Sequence, residues 1–87
     1  MISAHERADL IHIMKINRLT LIEADTAHLT FNGHASSIEY EITVLIVEDT
    51  PSVVIKKKGT LVYSETVKSI DDLKIFLEER LYKYLEA

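Results

Sequence analysis

The chain has no cysteine and no tryptophan, a single proline and only two glycines, Gly33 and Gly59. Without cysteine there can be no disulfide staple and no thiolate metal site, which argues against a small secreted scaffold. Two glycines cannot build a glycine-rich phosphate loop. So few breakers leave most of the chain to regular elements joined by short turns. No apolar run approaches the ~20 residues that cross a bilayer. No basic stretch followed by an apolar core succeeds Met1, so no signal peptide is expected. These absences together lead us to expect a soluble, cytoplasmic protein. A basic surplus is missing as well: 14 acidic residues outnumber 10 basic ones, for a net charge of −4. Non-specific nucleic-acid binders usually present the opposite balance.

What remains is one small domain over residues 1–87, with a hydrophobic content of 47% that is ordinary for a folded chain. Ser3 and Glu6 fit a capping box. The residues that follow predict a helix over Ala4–Ile16; the β-branched Ile11, Ile13 and Ile16 leave a strand over Leu10–Ile16 as the competing reading. Extended segments are expected at Leu19–Glu23 and Ala27–Phe31, around a turn or bulge at Asp25-Thr26. Further turns are expected at Asn32-Gly33, Thr50-Pro51 and Lys58-Gly59. Between and after these turns lie strands over Ser37–Val47, Ser52–Lys57 and Thr60–Thr66. Ser69 as N-cap, with Asp71 and Asp72 behind it, starts a helix drawn unbroken over Ile70–Leu85. The expected fold class is α+β, a two-layer sandwich: N-terminal helix, antiparallel meander of three to five strands, C-terminal helix.

The most informative stretch is Ile38–Ile55. It begins as an alternating strand and then becomes apolar on both faces through Val44-Leu45-Ile46-Val47. With tight turns, one sheet face collects Ile42, Val44, Ile46, Val53, Ile55 and Val62. The other collects Leu45, Val47, Val54, Leu61 and Tyr63. If both helices cover the first face, the second is an apolar patch of the kind that marks an interface; one helix on each face would leave no patch. Ile75 and Tyr82, seven residues apart, form a second candidate contact stripe on the last helix. The breadth of apolar positions on the first helix suggests burial on two sides.

Chemistry-bearing patterns are weak. His5, Asp9 and His12 share a helix face but lack a recognised metal motif, and no metal or other cofactor is assigned. No serine sits in a nucleophile elbow beside His28 or His34, so no catalytic residues are assigned and an enzyme is not expected. Lys56-Lys57-Lys58 is the one basic run, at a hairpin tip. The element order is that of the double-stranded RNA-binding domain. Asp71 and Asp72, however, stand where that domain carries phosphate-binding lysines, so the likeness is one of order alone. The sequence thus points to a small non-enzymatic interaction or regulatory module that binds protein, self-association as a homodimer included, and not a membrane. Nucleic-acid contact through Lys56, Lys57 and Lys58 is the alternative.

Overall fold

The first helix starts where the capping box places it. In the computed structural model, which describes residues 2–35 and 37–85, the Ser3 hydroxyl accepts from the Glu6 amide at 3.1 Å. The Glu6 carboxylate accepts from the Ser3 amide at 3.1 Å. Satisfying two otherwise orphaned donors favours helix over the competing strand, and α1 runs over Ala4–Ile16. It ends in a Schellman motif. The Arg18 amide donates to the Lys15 carbonyl and the Leu19 amide to the Met14 carbonyl, both at 2.9 Å, with Arg18 at φ 64°.

Five strands follow as an antiparallel meander in the order β1-β2-β3-β4-β5: β1 Thr20–Ala24, β2 His28–Ala35, β3 Ile38–Val47, β4 Thr50–Lys57 and β5 Thr60–Thr66. Asp25 turns β1 into β2, its carboxylate accepting from the amides of Ala27 and His28 at 2.7 and 2.9 Å. The turn expected at Asn32-Gly33 is not there. β2 runs through both residues, and Gly33 pairs with Tyr40. Glycine is required at 33 by a neighbour: a Cβ would lie 2.7 Å from the Arg18 carbonyl oxygen and 2.9 Å from Leu19 Cδ2.

The β3–β4 turn is also displaced from Thr50-Pro51. Its central residues are Glu48 and Asp49, at φ 52° and 63°, in the two-residue loop with positive φ that suits strand twist. Pro51 lies inside β4, opposite Ile46. The displacement preserves side-chain parity, so Ile42, Val44 and Ile46 still share a buried face with Val53 and Ile55. The β4–β5 turn is at Lys58-Gly59 as expected, but a bulge follows. Lys56 pairs with Leu61 and Ile55 with Tyr63, which leaves Val62 as the extra residue. Tyr63 therefore joins the inner face, and Val62 is 45% exposed. The register expected from the sequence has these two residues exchanged.

Ser69 caps α2 (Ile70–Glu79), accepting from the Asp72 amide at 3.1 Å. The C-terminal helix is broken where the sequence predicts continuity. The amides of Arg80 and Leu81 both donate to the Phe76 carbonyl, at 2.8 and 3.1 Å, and a separate turn α3 spans Tyr82–Leu85. The widened turn buries Leu81 completely and brings the Tyr84 ring to 4.3 Å from Tyr63.

Both helices pack on one face of the sheet. The core joins Leu10, Ile13 and Met14 of α1 and Leu73, Phe76 and Leu77 of α2 to Leu29, Phe31, Tyr40, Ile42, Val44, Val53 and Ile55 of the sheet. Only one stripe of α1 is buried; Ile16 is 71% exposed, contrary to the two-sided burial its composition suggests. Lys74 Nζ reaches Asp9 at 2.8 Å and ties the helices together on the outside. No helix of the described residues is long and apolar enough to cross a membrane.

Candidate protein-interaction face

With both helices on the inner side, the outer face of the sheet has no cover from the described residues of its own chain. Period-two alternation sends Thr43, Leu45 and Val47 of β3 to this face, and the pairing aligns them with Val54, Ser52 and Thr50 of β4. β2 adds Thr30, opposite Thr43, and β5 adds Leu61, Ser64 and Thr66. Hydroxyl pairs cross the strands: Thr30 to Thr43 at 3.3 Å and Ser52 to Thr66 at 3.1 Å. These contacts hold hydroxyls against the sheet, so the centre of the face combines short aliphatic groups with internally engaged polar ones.

Charge lies at the margin. His28 sits between Asp25 at 2.7 Å and Glu23 at 3.5 Å. Glu41 is opposite Lys56 in the ladder, and Glu39 is 3.9 Å from His34. The Asp25 carboxyl is held below the usual aspartate range, first by the Ala27 amide and then by the His28 amide and ring, so this rim carries fixed charge at neutral pH. An uncharged centre inside a charged rim is the common anatomy of a protein-binding patch.

The residues singled out from sequence fall into three groups. Leu45, Val47, Val54 and Leu61 lie on the outer face; Leu45 and Val54 are half-buried among neighbours, and Val47 and Leu61 are 62% and 57% exposed. Tyr63 is on the opposite face. It stacks on Phe76 at 5.5 Å with an interplanar angle of 5°, and its hydroxyl donates to Glu65. That carboxylate, together with burial, pushes the phenol well above its usual range. Ile75 and Tyr82 are both about half exposed, but the break at Arg80-Leu81 puts them on different helices, so they do not form a single stripe. Sequence reasoning missed Val62 and Ile22, the extra residues of two bulges and both exposed, because nothing in a single sequence marks a bulge at those positions.

The lysine run is divided. Lys56 faces outward beside Glu41, Lys57 is half-buried opposite Tyr40, and Lys58 occupies the turn at φ 53°. Successive strand residues point to opposite faces, so the three ammonium groups do not form one surface. On α1, His5 lies 3.7 Å from Asp9, whose other partner is Lys74; among the described residues no group of three His, Asp or Glu side chains could hold a metal ion.

The Asp9–Lys74 pair gives a pH prediction. The Lys74 ammonium holds the Asp9 carboxyl below its ordinary value, and Asp9 holds Lys74 above its own. The aspartate's contribution to stability is complete above the unfolded aspartate pKa and is lost as pH falls through the lower folded value. The lysine's contribution is complete below the unfolded lysine pKa and is lost as pH rises through the higher folded one. Thermal midpoints followed from neutral to acid pH should therefore fall further for the wild type than for Asp9→Asn. The difference should be small and should shrink in high salt, because the pair is only part-buried and solvent screens it.

Comparison with known proteins found no family model, no curated protein and no solved structure that matches the chain. The functional reading therefore rests on the geometry of this face.

Proposed function

We propose that the protein is a small non-enzymatic interaction module that binds another protein on the outer face of its sheet. The observation that carries this reading is the placement of both helices on the inner face, which leaves Leu45, Val47, Val54 and Leu61 outward around a hydroxyl-lined centre. A flat, uncharged patch buries apolar area against a partner at little desolvation cost, and the rim of Glu23, His28, Glu41 and Lys56 supplies the polar contacts that fix orientation. Binding, with no bond-making step, is the activity such a surface supports.

The test is a matched comparison of immobilised wild-type chain with the Val47→Lys/Val54→Lys variant in an extract of source cells. Both substitutions are on the solvent side of the sheet, so the variant should stay soluble and melt cooperatively. It should lose a protein that the wild type retains in near-stoichiometric amount. If the variant unfolds, or both chains retain the same proteins, the reading fails.

A further inference from the structure

The net charge of the chain is not spread evenly over it. The outward ladder residues and the hairpin turns of the sheet carry six carboxylates, Glu23, Asp25, Glu39, Glu41, Glu48 and Asp49. Against them stand the ammonium groups of Lys56 and Lys58. That surplus of four equals the net charge of −4, so the rest of the chain, helices included, holds equal numbers of acidic and basic residues. The surplus gathers at one end of the outer face. The Ile46 amide donates to the Ala27 carbonyl at 2.8 Å, which sets the β1–β2 turn beside the β3–β4 turn. Glu23, Asp25, Glu48 and Asp49 therefore collect there, next to the exposed Val47. His28 lies between Glu23 and Asp25. The side chains of Glu48 and Asp49 are exposed and make no hydrogen bond or ion pair among the described residues. Arg7 reaches the Asp25 carbonyl from the helix side, at 3.3 Å, and Lys68 lies in a groove beside α2.

We infer, resting on the outer-face reading above, that the partner is a basic protein and not a second copy of this chain. It sets lysine or arginine side chains around an apolar strip. As the strip covers Leu45, Val47, Val54 and Leu61, the cationic groups at its margin come to lie against Glu48, Asp49 and the neighbouring Glu23 and Asp25. Opposite charges across a rim speed association and fix register. Two copies meeting through this face would instead bring two surpluses of four negative charges together around one apolar centre, which disfavours that pairing. The same sign repels a phosphate backbone, so the face does not take nucleic acid. Glu48 and Asp49 are unengaged within their own chain, and a cationic rim gives both of them a partner.

Amide shift mapping of the full chain with two amphipathic peptides, one of leucine and lysine and one of leucine and glutamate, tests the choice of partner. The lysine peptide should shift the amides of Leu45, Val47, Val54 and Ser64 in preference to those of α1 and α2. The glutamate peptide should leave them unmoved. Glu48→Lys/Asp49→Lys alters only exposed turn residues, so it should fold as the wild type does. It should weaken binding of the lysine peptide roughly tenfold, the lower end of what charge focusing supplies. Most of that difference should vanish at about 0.5 M salt, where the Debye length falls to roughly 4 Å. In sedimentation equilibrium the wild type should form no dimer that Val47→Lys/Val54→Lys dissolves. No shift with the lysine peptide, equal shifts with both peptides, shifts centred on the helices, unchanged affinity in the turn variant, or a dimer dissolved by the sheet-face substitutions would overturn the inference. If the turn variant does not fold, Glu48→Gln/Asp49→Asn decides, and unchanged affinity there counts against it. The extract comparison above separates the two readings. A protein lost from Val47→Lys/Val54→Lys but held equally by Glu48→Lys/Asp49→Lys leaves the face a binding surface and removes the basic partner. Equal retention by all three chains removes the surface itself.

Discussion

Replacing Tyr63 with alanine is expected to destabilise the fold by roughly 2–3 kcal/mol, somewhat less than truncation of a fully buried aromatic. Tyr63 is half-buried, stacked on Phe76 and tilted against Tyr84, and its hydroxyl is held by Glu65. Truncation removes the middle ring of that cluster and leaves the last turn, α3, without the surface on which it rests. For a domain of this length such a loss lowers the thermal midpoint by roughly 10–20 °C. The neighbouring Val62, unpaired in the bulge, should tolerate alanine with a change below about 0.5 kcal/mol. A regular ladder from Lys57–Thr60 onward predicts the reverse ranking, with Val62 inside and Tyr63 outside. Thermal denaturation of the two single variants therefore decides the register of β5. Equal effects, or a larger loss for Val62→Ala, would remove the bulge from the account.

Gly33→Ala is expected to cost roughly 2–3 kcal/mol, at the upper end of what overpacking costs. The usual consequence of replacing glycine in a strand is a gain, because alanine restricts the unfolded chain. Here a Cβ would meet the Arg18 carbonyl oxygen at 2.7 Å, and backbone cannot give way as a side chain can. The clash falls where the Schellman turn after α1 crosses β2, so relief must move either the helix end or the strand. Urea unfolding of Gly33→Ala should show a lower midpoint with an unchanged slope. An alanine variant as stable as the wild type would mean that Arg18 and Gly33 do not approach as closely as described.

Both results bear on how much of this protein is legible in its sequence. The helices and the meander are carried by signals that act locally. Ser3 with Glu6, Ser69 with Asp72, and the alternation of β3 each fix their element without help from the rest of the chain. The features that escape the sequence depend on contacts far along the chain. Asn32-Gly33 has the composition of a turn, yet Gly33 is needed because Arg18 comes close. Glu48 is a poor residue for positive φ, so Thr50-Pro51 looks the better turn until the pairing of Val47 with Thr50 is seen. The breaks at Val62 and at Arg80-Leu81 serve one purpose, the meeting of Tyr63, Phe76 and Tyr84, and no spacing rule announces it. The candidate site was legible in part for the same reason. Leu45, Val47 and Val54 follow from strand alternation, whereas placing Tyr63 with them requires a β5 without the bulge, and pairing Ile75 with Tyr82 requires an unbroken helix.

The central claim is that the outer sheet face is a binding surface and contributes little to the stability of the chain that carries it. The most direct measurement compares proteins retained from a source-cell extract by three immobilised chains: wild type, Val47→Lys/Val54→Lys and Ile75→Lys. The account predicts one protein retained in near-stoichiometric amount by the wild type and by Ile75→Lys, and absent from the sheet-face variant, while all three chains melt cooperatively. Indistinguishable retention by the wild type and the sheet-face variant would contradict it.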